Sequence, residues 1–174
     1  MNIREALIAE HSKRQTLKIV NYIGSDPEKF SELMSIFFEG NYRLTQRASW
    51  SLNYCAEFHP ELIKPYLAKL IDQLTDREGH SAVRRNIVRL LQNVEIPAKF
   101  AGKLFSICID LLDDPNEPVA VRVFAMSVAA KIANGQKDLL NEIRLITEKH
   151  IPHSTAAFRA RARSVFKSGK KRKS

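Results

Sequence analysis

The chain has 174 residues, 44% of them hydrophobic, and a formal charge of +9 at neutral pH. That length supports one domain with a continuous core, and no apolar run approaches the ~20 residues of a membrane-spanning helix, so a soluble chain with no transmembrane segment is expected. Arg4, Glu5 and Glu10 interrupt any apolar stretch at the start, which leaves no signal-peptide pattern and makes a cytoplasmic location the expectation.

The first helix is predicted near Ile3 to Ala9. Gly24-Ser25-Asp26-Pro27 then stops one helix and starts another, with Asp26 as cap and Pro27 in the first turn, where its missing donor costs nothing. The stretch PEKFSELMSIFF that follows Asp26 is amphipathic, and so is TQRASWSLN around Arg47. Next comes PELIKPYLAKLIDQL, in which Leu62, Ile63, Tyr66, Leu67, Leu70, Ile71 and Leu74 fall on one wide helical face and Pro65 should bend the helix. AVRRNIVRL around Arg84 leads to Ile96-Pro97 and to PAKFAGKLFSICIDLL, where Phe105, Cys108, Ile109 and Leu112 stand where Leu67, Leu70, Ile71 and Leu74 stood. Asp113-Asp114-Pro115 closes that helix before AVRVFAMSV around Arg122; Asn134-Gly135 separates the latter from KDLLNEIRLITEKHI, and AFRARARSV around Arg159 is the last helical stretch. Cys55 and Cys108 lie inside these apolar patterns, and are expected to be small buried hydrophobes in a reducing compartment, not a disulfide or metal pair.

Two kinds of helix therefore alternate. Arg47, Arg84, Arg122 and Arg159 are separated by 37, 38 and 37 residues, with Trp50, Ile87, Ala125 and Ala162 three places after each and Asn53, Leu90, Val128 and Val165 six places after. Only Asn53 departs from the apolar pattern. A period in this range marks helix pairs that bury their apolar faces against neighbouring pairs. The arginines are expected to pack their stems across the joints and bond to turn carbonyls or to the polar residue six places earlier. Trp50 is expected in the core.

On the Val-Arg-x-x-apolar pattern at Val83-Arg84 and Val121-Arg122, and on the run Pro60, Leu62, Pro65, Leu67 and Leu70, the chain resembles a HEAT-repeat protein. The resemblance covers roughly Ser12 to Phe166. It implies an all-α, armadillo-like superhelix of about four helix pairs. Residues 1–166 are expected to form one repeat domain, and 167–174, too charged and too poor in apolar residues to fold alone, a flexible basic tail. In that family a turn residue six places before the arginine, usually aspartate, bonds along the ladder of repeats; here the position holds Asn41, Glu78, Asn116 and His153, so only part of the acidic ladder is present.

Charge is segregated. Residues 151–174 hold eight of the 28 lysines and arginines and none of the 19 acids, which leaves residues 1–150 with 20 basic against 19 acidic. The basic end comprises Arg159, Arg161 and Arg163 in the last helix, then Lys167, Lys170, Lys171, Arg172 and Lys173; it is either a solubilising terminus or a nonspecific attachment to nucleic acid or another polyanion. No ladder of basic residues recurs along the second helices, because Lys64 and Lys69 step onto Ala101 or Gly102 and Ser106 or Ile107. An acidic series does recur: Asp72, Asp110 and Glu148, each one repeat of 38 apart, form either a solvated edge or a stripe for a basic peptide.

No glycine-rich phosphate loop, Cys-x-x-Cys, His-Glu-x-x-His or Gly-x-Ser-x-Gly is present, and the five histidines are scattered, so no catalytic residue, cofactor or metal site is assigned. DNA glycosylases for alkylated bases share the HEAT-like architecture, but Tyr66, Asp72, Phe105 and Asp110 supply their aromatic and acidic residues only piecemeal, without a basic lining. The sequence is thus read as a non-catalytic scaffold that holds a protein or peptide in its concave groove, with nucleic-acid association through the basic end as the alternative.

Overall fold

The computed structural model describes residues 1–39, 41–76 and 79–168. Lys170, Lys171, Arg172 and Lys173, and Glu78 of the turn series, lie outside them. Among the described residues there are ten α-helices: α1 (Ile3–Ala9), α2 (Lys13–Ile23), α3 (Pro27–Phe38), α4 (Tyr42–Phe58), α5 (Leu67–Gln73), α6 (Ser81–Leu91), α7 (Ala98–Asp113), α8 (Val119–Ile132), α9 (Lys137–His150) and α10 (Ala156–Ser168). There is no strand among the described residues.

Short polar side chains satisfy the orphan donors at the helix starts. Asn2, Ser12 and Asn41 accept from the main-chain N–H three residues on, and Asp26 accepts from both Glu28 and Lys29 with Pro27 in the first turn. His80 Nδ1 does the same for α6, accepting from Ala82 N. Gly24, with φ of 52°, ends α2 in a conformation that costs glycine little, and Gly135, with φ of 81°, turns the chain into α9.

The second helix of the 60–74 stretch is shorter than the periodicity predicts. Pro60–Leu62 and Lys64–Tyr66 form two 3-10 turns, and α-helical geometry begins only at Leu67. Pro65 has no N–H to donate to the carbonyl four residues back and disfavours α geometry at Lys64, so it interrupts the helix instead of bending it. The apolar face survives, since Leu62, Ile63, Leu67, Leu70, Ile71 and Leu74 are all buried.

The chain divides into two compact units, with the boundary in the sequence between Val94 and Glu95. In the first, α4 packs between α2 and α6, with α1 and α3 also against it; Phe30, Leu33, Phe37, Leu52 and Ile63 are among the fully buried side chains. In the second, α8 folds back along α7 and packs on α10, while α9 lies against α7. Leu104, Cys108, Leu111, Ala125, Met126, Ala129, Ile143 and Phe158 form that core.

Arg84, Arg122 and Arg159 are each the fourth residue of their helix, and Arg47 is the sixth. A cation near a helix start opposes the helix dipole, so each needs electron-rich partners from elsewhere. Arg47 Nη1 donates to the carbonyls of Leu7 and Ile8 at 2.7 and 2.8 Å, which supplies the cation that the last turn of α1 lacks. Arg84 donates to the carbonyls of Asp76 and Gly79, Arg122 to that of Leu112, and Arg159 to that of Ser154. Arg84 and Arg159 thus meet turn carbonyls as the sequence predicts, whereas Arg47 and Arg122 meet carbonyls in the last turns of α1 and α7.

Trp50, expected in the core, is only half-buried. It packs on the ring of His11 at 4.6 Å and joins Asn53, Tyr54, Glu57, Arg89 and Asn93 around a groove of about 320 Å³ between α4 and α6. Asn53 breaks the apolar pattern because it faces this groove, where its Nδ2 donates to the Ser49 carbonyl at 2.7 Å.

Candidate binding grooves

Helix α9 is the common wall of two grooves in the second unit. Its buried residues are Ile143 and Thr147, and the Thr147 hydroxyl is committed to the Ile143 carbonyl at 2.7 Å. Two residues of α-helix turn the side chain through about 200°, so Glu142 and Arg144 project to opposite sides.

The larger groove, about 570 Å³, runs between α7 and α9. Phe105, Ile109, Ile132 and Leu139 give it an apolar lining, and Asp110 and Glu142 stand at its edge. Gly102 lies in its wall with open space where a Cβ would be. The pairing of exposed carboxylates with apolar side chains suits a cationic, amphipathic segment.

The second groove, about 330 Å³, lies between α9 and α10. Thr147, Ile151, Ala162 and Phe166 form its floor, and Arg144, Glu148, Arg163 and Lys167 surround it. The Arg144 guanidinium sits 5.1 Å from the Phe166 ring centre.

The sequence-predicted residues divide between these places. Asp72 is exposed on α5 in the first unit, Asp110 faces the α7–α9 groove and Glu148 the α9–α10 groove. The structure does not bring Asp110 and Glu148 together. Residues one repeat apart on successive second helices face successive gaps, so Asp110 looks from α7 toward α9 and Glu148 from α9 toward α10. Glu142 takes the place beside Asp110, and it escaped the repeat-stepping search because it lies off the 38-residue interval; its spacing of three from Leu139 is the available signal. Of the basic residues, Arg163 and Lys167 line the second groove, Arg159 is engaged by the Ser154 carbonyl, and Arg161 is half-buried outside the groove.

An ion-pair cluster that the sequence reading missed ties the ends of α7 and α9. Asp113 accepts from Lys149 Nζ at 2.9 Å, and His150 Nε2 lies 2.7 Å from Asp113 Oδ1. The hydrogen bonds from Lys149 and then His150 hold the Asp113 carboxyl below its ordinary range, against the opposing effect of burial. Arg122 is 8% exposed, and its guanidinium lies 4.9 Å from the Phe158 ring centre. Burial lowers its pKa, partly offset by Asp113 and Asp114.

Cys55 and Cys108 are both free and buried, and burial pushes the Cys55 thiol up to about 12 and Cys108 further in the same direction. Among the described residues no group of three or more His, Cys, Asp or Glu side chains is placed to hold a metal ion, and no helix is long and apolar enough to cross a membrane.

Alternating helix pairs and recurrent arginines bound to main-chain carbonyls at the joints between helices define the all-α class of repeat proteins built as α-solenoids. The sequence model of the HEAT repeat domain matches residues 3–168, and the chain belongs to that family, which is generally non-catalytic. Neither the curated proteins nor the solved structures give a significant match.

Proposed function

We propose that this chain is a non-catalytic scaffold that binds a protein partner through a basic, amphipathic segment lying in the α7–α9 groove. The observation that carries the reading is the combination there of Phe105, Ile109 and Leu139 with Asp110 and Glu142. Apolar side chains of the segment supply burial, and its lysines or arginines pair with the two carboxylates at the edge. HEAT repeats typically act as protein-interaction scaffolds, which supports the class of partner.

The test is fluorescence anisotropy with a short fluorescein-labelled peptide of alternating Lys and Leu. The double substitution Asp110→Lys, Glu142→Lys reverses the edge charge at two exposed positions and leaves the core alone. Binding by the unaltered chain and a loss of about tenfold or more in the variant are expected. Equal binding by both proteins, or none by either, would remove this groove from consideration.

A further inference from the structure

We propose that the groove between α9 and α10 is a second docking site, selective for a segment of a protein partner in which acidic residues flank a bulky apolar one. The proposal rests on the reading of the chain as a protein-binding scaffold, and concerns a different surface of it. Arg144, Arg163 and Lys167 converge on this groove, and none of the three pairs with a carboxylate among the described residues. Three cations around one small apolar hollow, with Glu148 as the one carboxylate among the lining residues, leave a local excess of positive charge that an acidic segment would offset.

The floor selects for more than charge. The Thr147 hydroxyl is spent on the Ile143 carbonyl, and Ala162 is buried. Ile151 and Phe166 remain partly open, giving a seat for an aromatic or leucine side chain. The cation–π contact with Phe166, 5.1 Å from the ring centre, needs no N–H donor of Arg144, so a carboxylate can accept two of them side by side. Glu148 on the same rim places a negative charge beside any bound polymer of phosphates, a local repulsion that a peptide with discrete acids can avoid by register.

The two grooves therefore oppose each other across α9, one acidic and one basic. Leu145, 69% exposed, tops the ridge between Glu142 and Glu148. Each groove repels the ligand of the other, so the pair distinguishes two partner segments by sign of charge.

The probe is a short fluorescein-labelled peptide with Phe between Asp and Glu residues, titrated against the full chain. Controls are the same peptide with Ala for Phe, the same peptide with Lys for the acids, and an oligouridylate of similar length. Expected are binding of the acidic Phe peptide, a loss of about tenfold or more with Arg163→Glu, a smaller loss with Arg163→Gln, and little change with Asp110→Lys. Arg163 is exposed, and thermal melts check that its variants stay folded. Deleting residues 169–174 should weaken binding less than Arg163→Glu does. The proposal fails if the acidic Phe peptide does not bind, if the Ala peptide or the oligouridylate binds as tightly, or if Arg163→Glu has no effect. Should the acidic peptide fail while the Lys and Leu peptide still binds at Asp110, only this proposal falls; should both fail, the scaffold reading falls with it.

Discussion

Arginine at the fourth position of three helices runs against helix electrostatics, and the carbonyls it meets explain why it recurs there. A charge-assisted hydrogen bond contributes about 1.5–3 kcal/mol, more than the ~0.3–1 kcal/mol at stake in placing a cation near a helix start, so the local conflict is outweighed by the joint it closes. Arg47 shows the same logic with another partner: α4 begins two residues earlier relative to its arginine than α6 does, and the side chain meets the end of α1. Asp113 performs a related task by joining Lys149 and His150 to the end of α7, but its side chain is 39% exposed, so screening limits it to the scale of surface ion pairs. Its carboxyl titrates below the ordinary aspartate range in the folded chain, so its contribution is fully present above the unfolded value and is lost as pH falls through the folded one. Urea unfolding of the wild type and of Asp113→Asn should therefore differ by about 0.5–1 kcal/mol at neutral pH and converge in strong acid. Coincident curves over that range would show that the cluster contributes nothing to folding, and a constant gap that its contribution does not come from the Asp113 charge.

At the level of helices, each prediction from periodicity succeeded where one face was buried and failed where the backbone or the far face decided. The second-helix face of residues 62–74 was legible because Leu67, Leu70, Ile71 and Leu74 all reach the core, whereas the two 3-10 turns before it follow from the proline ring, which a count of apolar spacings does not register. Trp50 and Asn53 share the rim of a solvent-facing groove, and position in a repeat cannot tell a rim residue from a core residue when the neighbouring helix leaves a gap. The acidic series was legible only in part. Stepping by 38 finds equivalent positions, but equivalent positions on α7 and α9 face successive grooves, so the series does not form one stripe. Gly102 is a helix-interior glycine with no atom near its absent Cβ, so it gives up helix propensity without a packing reason inside the chain. Gly102→Ala should raise stability by about 0.5–1 kcal/mol in a thermal or urea melt. A bulky Gly102→Trp should fill the α7–α9 groove and abolish binding of the Lys and Leu peptide while the fold persists; retention of that binding would mean the segment lies elsewhere.

On the scale of the whole chain, charge is the property that separates the scaffold from a nucleic-acid-binding reading. Residues 1–150 carry 20 basic and 19 acidic side chains, so they generate no broad attraction for phosphate, and the excess sits in residues 151–174. Within that excess the structure already commits Arg159 to a main-chain carbonyl and puts Arg163 and Lys167 beside an apolar floor. Lys170, Lys171, Arg172 and Lys173 lie outside the described residues, and cutting after Ser168 removes these four charges while keeping every residue that lines the two grooves. Any affinity for nucleic acid should then be nonspecific, should fall steeply with salt, and should lose most of its salt dependence on truncation, since each phosphate neutralised adds about 0.9 to the slope of log affinity against log salt. The measurement is a titration of labelled single- and double-stranded oligonucleotides of several sequences against the full and truncated chains at a series of salt concentrations. Thermal melts of both proteins should coincide, because the truncated chain keeps every buried core residue among the described residues, the last of which is Ala162. If the truncated chain retained tight, sequence-dependent binding, the repeats themselves would be reading nucleic acid, and the protein-scaffold function would have to be given up.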